Sequence, residues 1–211
     1  MNISKFKIAL LIILALSGLC CGHAFSGAKN APANAEKLQQ AYVWYDGQQE
    51  RQIWLDPGIV AEFHASKGNA AQSAIKNVYA DAVPVSTHGT VRLWRLGSGV
   101  DSNTAVRALS KANQPGNYSP VLHDGPTTAG GMRALPGNII VYLNPAWDGA
   151  AVNAWASRHQ LEIIKKLEIG PNIYLIKTAP GLEALNTANA LYKSGEVVAA
   201  FPDWWKQVTT R

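Results

Sequence analysis

The strongest constraint on this chain is that it spells one pattern twice. "GIVAEF" (58–63) begins the first pass and "NIIVYL" (138–143) the second, an offset of roughly 80 residues. In the first pass, "NAAQSAIKNVYADA" (69–82) carries Ala71, Ala74, Ile75 and Val78 at helical spacing. "VPVST" (83–87) and "TVRLWRL" (90–96) read as strands split by His88-Gly89. A helix around 104–111 turns Val106 and Leu109 inward, and "YSPVLHD" (118–124) is extended. In the second pass, Asn144-Pro145 ends the strand. Asp148 is positioned to cap a helix with Val152, Trp155, Ala156 and His159 on one stripe. "LEIIKKLEI" (161–169) alternates, with Leu161, Ile163, Leu167 and Ile169 on one face, and Gly170-Pro171-Asn172 turns the chain into "IYLIKT" (173–178). Pro180-Gly181 opens a helix with Leu182, Leu185, Ala188 and Leu191 inward. Gly195 ends it before the strand "EVVAAF" (196–201).

Each pass therefore reads strand, helix, strand, strand, helix, strand. That order predicts an α+β chain of tandem ferredoxin-like (βαββαβ) units, each an antiparallel sheet with both helices on one face. "AYVWYDGQQERQIWL" precedes them as a β-hairpin about Asp46-Gly47. The expected organisation is the hairpin plus the first unit over 41–124, a Gly/Pro/Thr-rich linker over 125–137, the second unit over 138–205 and a tail at 206–211.

The start of the chain has a different character. Residues 1–24 place Lys5 and Lys7 before an apolar run from Ile8 to Leu16 and then small residues, the layout of a secretory signal peptide. The run is short for a membrane span. Residues 25–40, rich in Ala, Asn and Lys, are expected to form a flexible lead-in. Cleavage after Ala24 (Gly22-His23-Ala24), or at the alternative site Ala24-Phe25-Ser26, removes Cys20 and Cys21, so the expected mature chain holds no disulfide and no thiolate metal site. A secreted or periplasmic location is expected, with lipid attachment at the cysteines the less favoured course because no small residue precedes them. Removing Lys5 and Lys7 takes the formal net charge from +5 to +3. The remaining basic residues are scattered apart from Lys165-Lys166, which argues against a nucleic-acid partner.

Catalytic patterns are missing. "HGT" (88–90) has no companion nucleophile motif, and "GxSxG" does not occur. His64, His88, His123 and His159 lack metal-ligand spacing. The sequence predicts no enzyme, no cofactor and no metal.

The second pass resembles a known family. "ANALYKSGEVVAAFPDWW" (188–205), with the strand "NIIVYL" and the strand "IYLIKT", is similar to the propeptide-type N-terminal domains of subtilisin-like serine proteases. Phe201 stands where that pattern usually has Glu, and Asp203 where it usually has Asn. The resemblance is specific over 138–205 and weak over 42–124. It implies a domain that templates folding of a protease and inhibits it, packing a sheet on the enzyme and laying its tail in the substrate cleft. With no protease sequence after Arg211, a free-standing inhibitor or chaperone acting in trans is expected; a truncated gene also fits.

The residues expected to act follow from that resemblance. The tail Lys206, Gln207, Val208, Thr209, Thr210 and Arg211 would lie extended in the cleft, with Arg211 in an acidic specificity pocket; a frayed end is the alternative. Of Trp204 and Trp205, one would pack inward and the other anchor an interface, although core packing also suits either. Glu168 would face a helix N-terminus of the enzyme, or else be a solvated turn acid. Tyr142, Ile164 and Tyr174, or their alternates, would form the exposed sheet face. A secreted binding module with a non-protease partner is the competing expectation.

Overall fold

The structure, a computed structural model, describes residues 36–64, 73–112 and 116–208. The signal segment, most of the lead-in, the first residues of the helix expected over 69–82 and Thr209, Thr210 and Arg211 lie outside the described residues. The fold is α+β, with antiparallel sheets and four helices among the described residues.

The first pass comprises β1 (Ala41–Asp46), β2 (Gln49–Phe63), α1 (Ile75–Val78), β3 (Val83–His88), β4 (Val91–Arg95), α2 (Ser102–Lys111) and β5 (Asn117–His123). The second comprises β7 (Ile139–Tyr142), α3 (Gly149–Arg158), β8 (Ile163–Lys166), β9 (Ile173–Ile176), α4 (Leu182–Ser194) and β10 (Ala199–Pro202). Between them lies β6 (Met132–Ala134), and β11 (Trp205–Lys206) ends the described chain. The second sheet runs β10-β7-β9-β8 and the centre of the first runs β5-β2-β4-β3. Leaving aside the hairpin strand β1, the first and third strands of each pass (β2 and β4, β7 and β9) are central and the second and fourth flank them.

Helix ends match the residues that can make them. Asp148 accepts from the Ala151 amide at 2.8 Å and Asp101 from the Thr104 amide at 2.9 Å. Gly195 takes φ +74° to close α4, a left-handed conformation that costs a side-chain-bearing residue more. In the second pass, α3 and α4 share one face: Val152, Trp155, Leu185 and Ala188 pack with Ile139, Val141 and Ile176 in one core. In the first, Ile75 of α1 and Ala105, Val106 and Leu109 of α2 cover Val60, Trp94 and Tyr118. The acid buried there, Glu62, accepts from Trp94 Nε1 at 2.8 Å and Ser73 Oγ at 2.6 Å beside Arg92.

Four sequence-based expectations need correction. The hairpin is not a separate preface, because its second strand and the first strand of the unit are one strand, β2. The sequence "LDPG" is a bulge inside it: pairing with β5 shifts between Leu55 and Val60. Second, the segment 125–137 is more than a linker, since β6 within it pairs with β5 and β11. Third, Ile169 does not join an inward row. A bulge between Ile163 and Lys165 breaks the alternation, and Ile169 is 68% exposed in the following turn. The last strand also lies slightly later than expected, with Pro202 still in register opposite Ile139.

The first sheet is rolled. Its strand order is β11-β6-β5-β2-β4-β3, with β1 also on β2, so β11 and β3 are at opposite ends. Yet the ring of Trp205 lies 5.9 Å from that of His88, and Gln207 Nε2 is 3.4 Å from His88 Nε2. The two edges therefore approach each other. This encloses a second layer of apolar side chains on the face away from the helices: Ile59, Ala61, Phe63, Leu93, Val121 and Ala134, with Trp205 against them.

Leu185, 1% exposed at the centre of the second core, gives the packing a direct test. Leu185→Ala should lower unfolding free energy by about 2–5 kcal/mol, read from urea titration followed by circular dichroism.

Candidate interaction site

Two surfaces converge on the end of the second pass: the helix-free face of the second sheet and the segment that follows β10. Register assigns the face. Ile140 pairs with Phe201 and Leu175, and Tyr142 with Ala199 and Ile173, so these side chains share the side opposite Ile139 and Val141. Tyr142 and Phe201 touch diagonally, with ring centroids 5.6 Å apart. Ile140, Tyr142, Leu175 and Phe201 are half-buried, Phe201 also touching the edge of the second core, and Ile164 and Val198 nearby are exposed. Tyr174 is on the other face: it aligns with Val141 and packs against the helical core.

Glu168 is exposed in the β8–β9 turn beside Ile169. Leu167 donates there to the Ile173 carbonyl, at the Tyr142–Ala199 end of the sheet. The C-terminal segment leaves from the opposite end, after Pro202 and Ile139. Glu168 and the described base of the tail, Lys206 to Val208, are thus not brought together; they stand beyond opposite ends of the apolar face.

The tail itself begins as part of the fold. Asp203 donates its amide to the Asn138 carbonyl at 3.2 Å. Trp205 and Lys206 then align with Ala134 and Arg133, and Gln207 donates to the Met132 carbonyl at 3.0 Å. In antiparallel pairing, alternate residues direct their backbone groups to opposite sides. Gln207 faces β6, so Lys206 directs its N–H and C=O away from it. Lys206 is exposed, Gln207 half-buried, and Val208 82% exposed.

The two tryptophans diverge, as alternation predicts, but both pack on this chain. Trp205 joins the apolar layer inside the rolled sheet. Trp204 packs on the second core and meets Trp44 of the hairpin edge-on, centroids 5.4 Å apart at 70°. The Arg133 guanidinium lies 5.3 Å from the Trp44 ring centroid and 5.5 Å from that of Trp204. Asp124 pairs with Arg133 and, at 3.5 Å, with Lys206. Sequence reading missed Trp44, Asp124 and Arg133. The only signal for Arg133 was Met132-Arg133-Ala134, an alternation too short to read as a strand inside a Gly- and Pro-rich stretch.

The loop before β6 is held by His123. Its Nε2 lies 3.2 Å from Asp56 Oδ2 and its Nδ1 3.0 Å from the Gly130 carbonyl. Burial opposes a charge on this imidazole, but hydrogen bonds to Asp56 and Gly130 and the charges of Asp56 and Asp124 outweigh it, and the pKa is raised. With both ring nitrogens facing acceptors, this histidine is set up as a structural cation and has no nitrogen free to activate a nucleophile. Near the tail, burial raises the Asp203 carboxyl pKa, with Lys165 opposing. Among the described residues no three His, Cys, Asp or Glu side chains could hold a metal ion, and no helix is long and apolar enough to cross a membrane.

These shifts fix two pH dependences. A raised folded-state pKa gives stability that is full below the unfolded value and lost as pH rises through the folded one. For His123 the loss starts above the ordinary 6.5, so urea midpoints should fall on going from pH 6.5 upward, and His123→Gln should remove that step. For Asp203 the loss starts above the ordinary 3.8. Asp203→Asn should therefore raise the midpoint at pH 7, and its advantage should shrink as the medium is acidified below the folded-state pKa.

No protein family, curated protein or solved structure matches this chain in the comparisons made.

Proposed function

We propose that this chain is a secreted or periplasmic, non-catalytic inhibitor and folding chaperone of a subtilisin-like serine protease. In this reading two ferredoxin-like units are joined in tandem, and the second carries the binding surface. The fourth-first-third-second strand order of both passes supports the ferredoxin-like description. The observation that carries the functional reading is the helix-free sheet face formed by Ile140, Tyr142, Leu175 and Phe201. An apolar sheet face of this kind suits docking against another protein. Glu168 at one end would meet a positive helix terminus of the enzyme. From the other end the chain would deliver its tail to the cleft. Since Trp205–Gln207 are paired to β6, the reach would come from Val208, Thr209, Thr210 and Arg211, and Lys206 would flank the entrance. An extended segment anchored at its base enters a cleft with less ordering entropy to lose.

A second reading, a binding module for a non-protease partner, draws support from one observation: Trp205 helps fill the rolled sheet, which gives the tail a structural role of its own.

The deciding experiment refolds a subtilisin-like protease lacking its propeptide, with and without this protein. A higher yield of active enzyme, followed by inhibition of that enzyme, is expected. Removing 208–211 should abolish inhibition while leaving the urea midpoint unchanged. Equal yields and no inhibition by the full chain would eliminate the protease reading. Full inhibition by the shortened chain would eliminate the tail from it.

A further inference from the structure

The tail's base is attached to the first pass, although the sheet face that the proposed function uses belongs to the second. Its backbone pairs with β6, Trp205 enters the rolled sheet, and Trp204 reaches the hairpin. One side chain joins these contacts. Arg133 lies on β6 directly opposite Lys206, with its guanidinium near both Trp44 and Trp204 and its Nε on Asp124. Its side chain is 17% exposed, so these attractions act with limited screening by water. Asp124 balances the charge and also pairs with Lys206 of the tail.

We propose that Arg133 is a positioning residue: through the cluster it forms with the edge-on Trp44–Trp204 pair it orders the base of the tail in the free protein, before any partner is met. The first pass then has a defined task, which is to brace the segment that the second pass presents. For a cleft-binding tail, whose role rests on the reading proposed above, this lowers the ordering cost of binding and speeds association. A guanidinium suits the position because it is broad and weakly hydrated, so it can lie near two rings while its Nε pairs with a carboxylate. A lysine ammonium would keep the ion pair but, narrower and more strongly hydrated, would contact the rings less well.

The test uses the full chain and two readouts. Hydrogen exchange at the Gln207 amide, which donates to Met132, reports tail order without any protease. In Arg133→Ala this amide should exchange about tenfold faster, with Arg133→Lys in between, while the Val141 amide in the second core keeps its protection. Inhibition of a bacterial subtilisin should weaken in the same order through slower association. Unchanged Gln207 exchange in Arg133→Ala overturns the proposal. Faster exchange with an unchanged association rate supports the ordering role and overturns its contribution to binding. Should Arg133→Ala also expose Val141, Trp204→Phe provides the same comparison with the charge kept, and must speed Gln207 exchange. If the wild-type chain leaves the subtilisin untouched, the inhibitor reading falls, and the exchange measurements still decide whether Arg133 orders the tail.

Discussion

The rest of the structure depends on the backbone pairing of one strand, β2. Its first half pairs with β1 and delivers Ile53 to the core of the second pass, where Trp44 of β1 joins it. Its second half pairs with β4 on one side and β5 on the other, as the central strand of the rolled sheet. The change occurs at Asp56-Pro57-Gly58. A proline there removes a ladder donor, and the bulge accommodates the loss. The Asp56 side chain accepts from the Gly58 amide at 2.9 Å, and its carbonyl from Ser102 Oγ at 2.6 Å, so the interruption is held and its polar groups are satisfied. His123 closes on the same aspartate from β5. A single strand thus ties two cores together, and the hairpin that extends from it supplies Trp44 to the cluster with Arg133 and Trp204.

What could be read from the sequence was local. The order of elements, the Asp148 cap, the Gly195 stop and the inward rows of α2 and α4 each follow from a pattern within a dozen residues. The second pass was read nearly intact for that reason. What escaped was set by distant partners. Nothing near Arg133 announces a tail strand more than 70 residues later. "LDPG" carries three turn-forming residues and reads as the end of a strand, because the bulge that rescues it needs β5 and β4 on either side. Trp204 and Trp205 were recognised as facing opposite ways from alternation alone. That both faces are internal to this chain depends on the rolled sheet, which no single segment encodes.

The site shows the same division. Glu168 and the tail residues stand at opposite ends of the face that links them, and its composition was legible only in part: Tyr142 lies on it and Tyr174 does not. Period-two alternation gives two sets of residues but not which set a helix covers. The covered set was decided by α3 and α4, whose apolar rows lie on one side of the sheet.

The rolled sheet has a bearing on synthesis. A chain emerges from its N-terminus, and segments that need only local partners can form as they appear. The first pass precedes the second in sequence, yet the layer enclosed by its sheet includes Trp205. The sheet gains its last strand, and the loop after His123 gains its ion pair to Lys206, only after the whole second pass has been made. The earliest-made part of the fold is therefore among the last to be finished, and a chain interrupted before its final strand would leave the first sheet open along one edge.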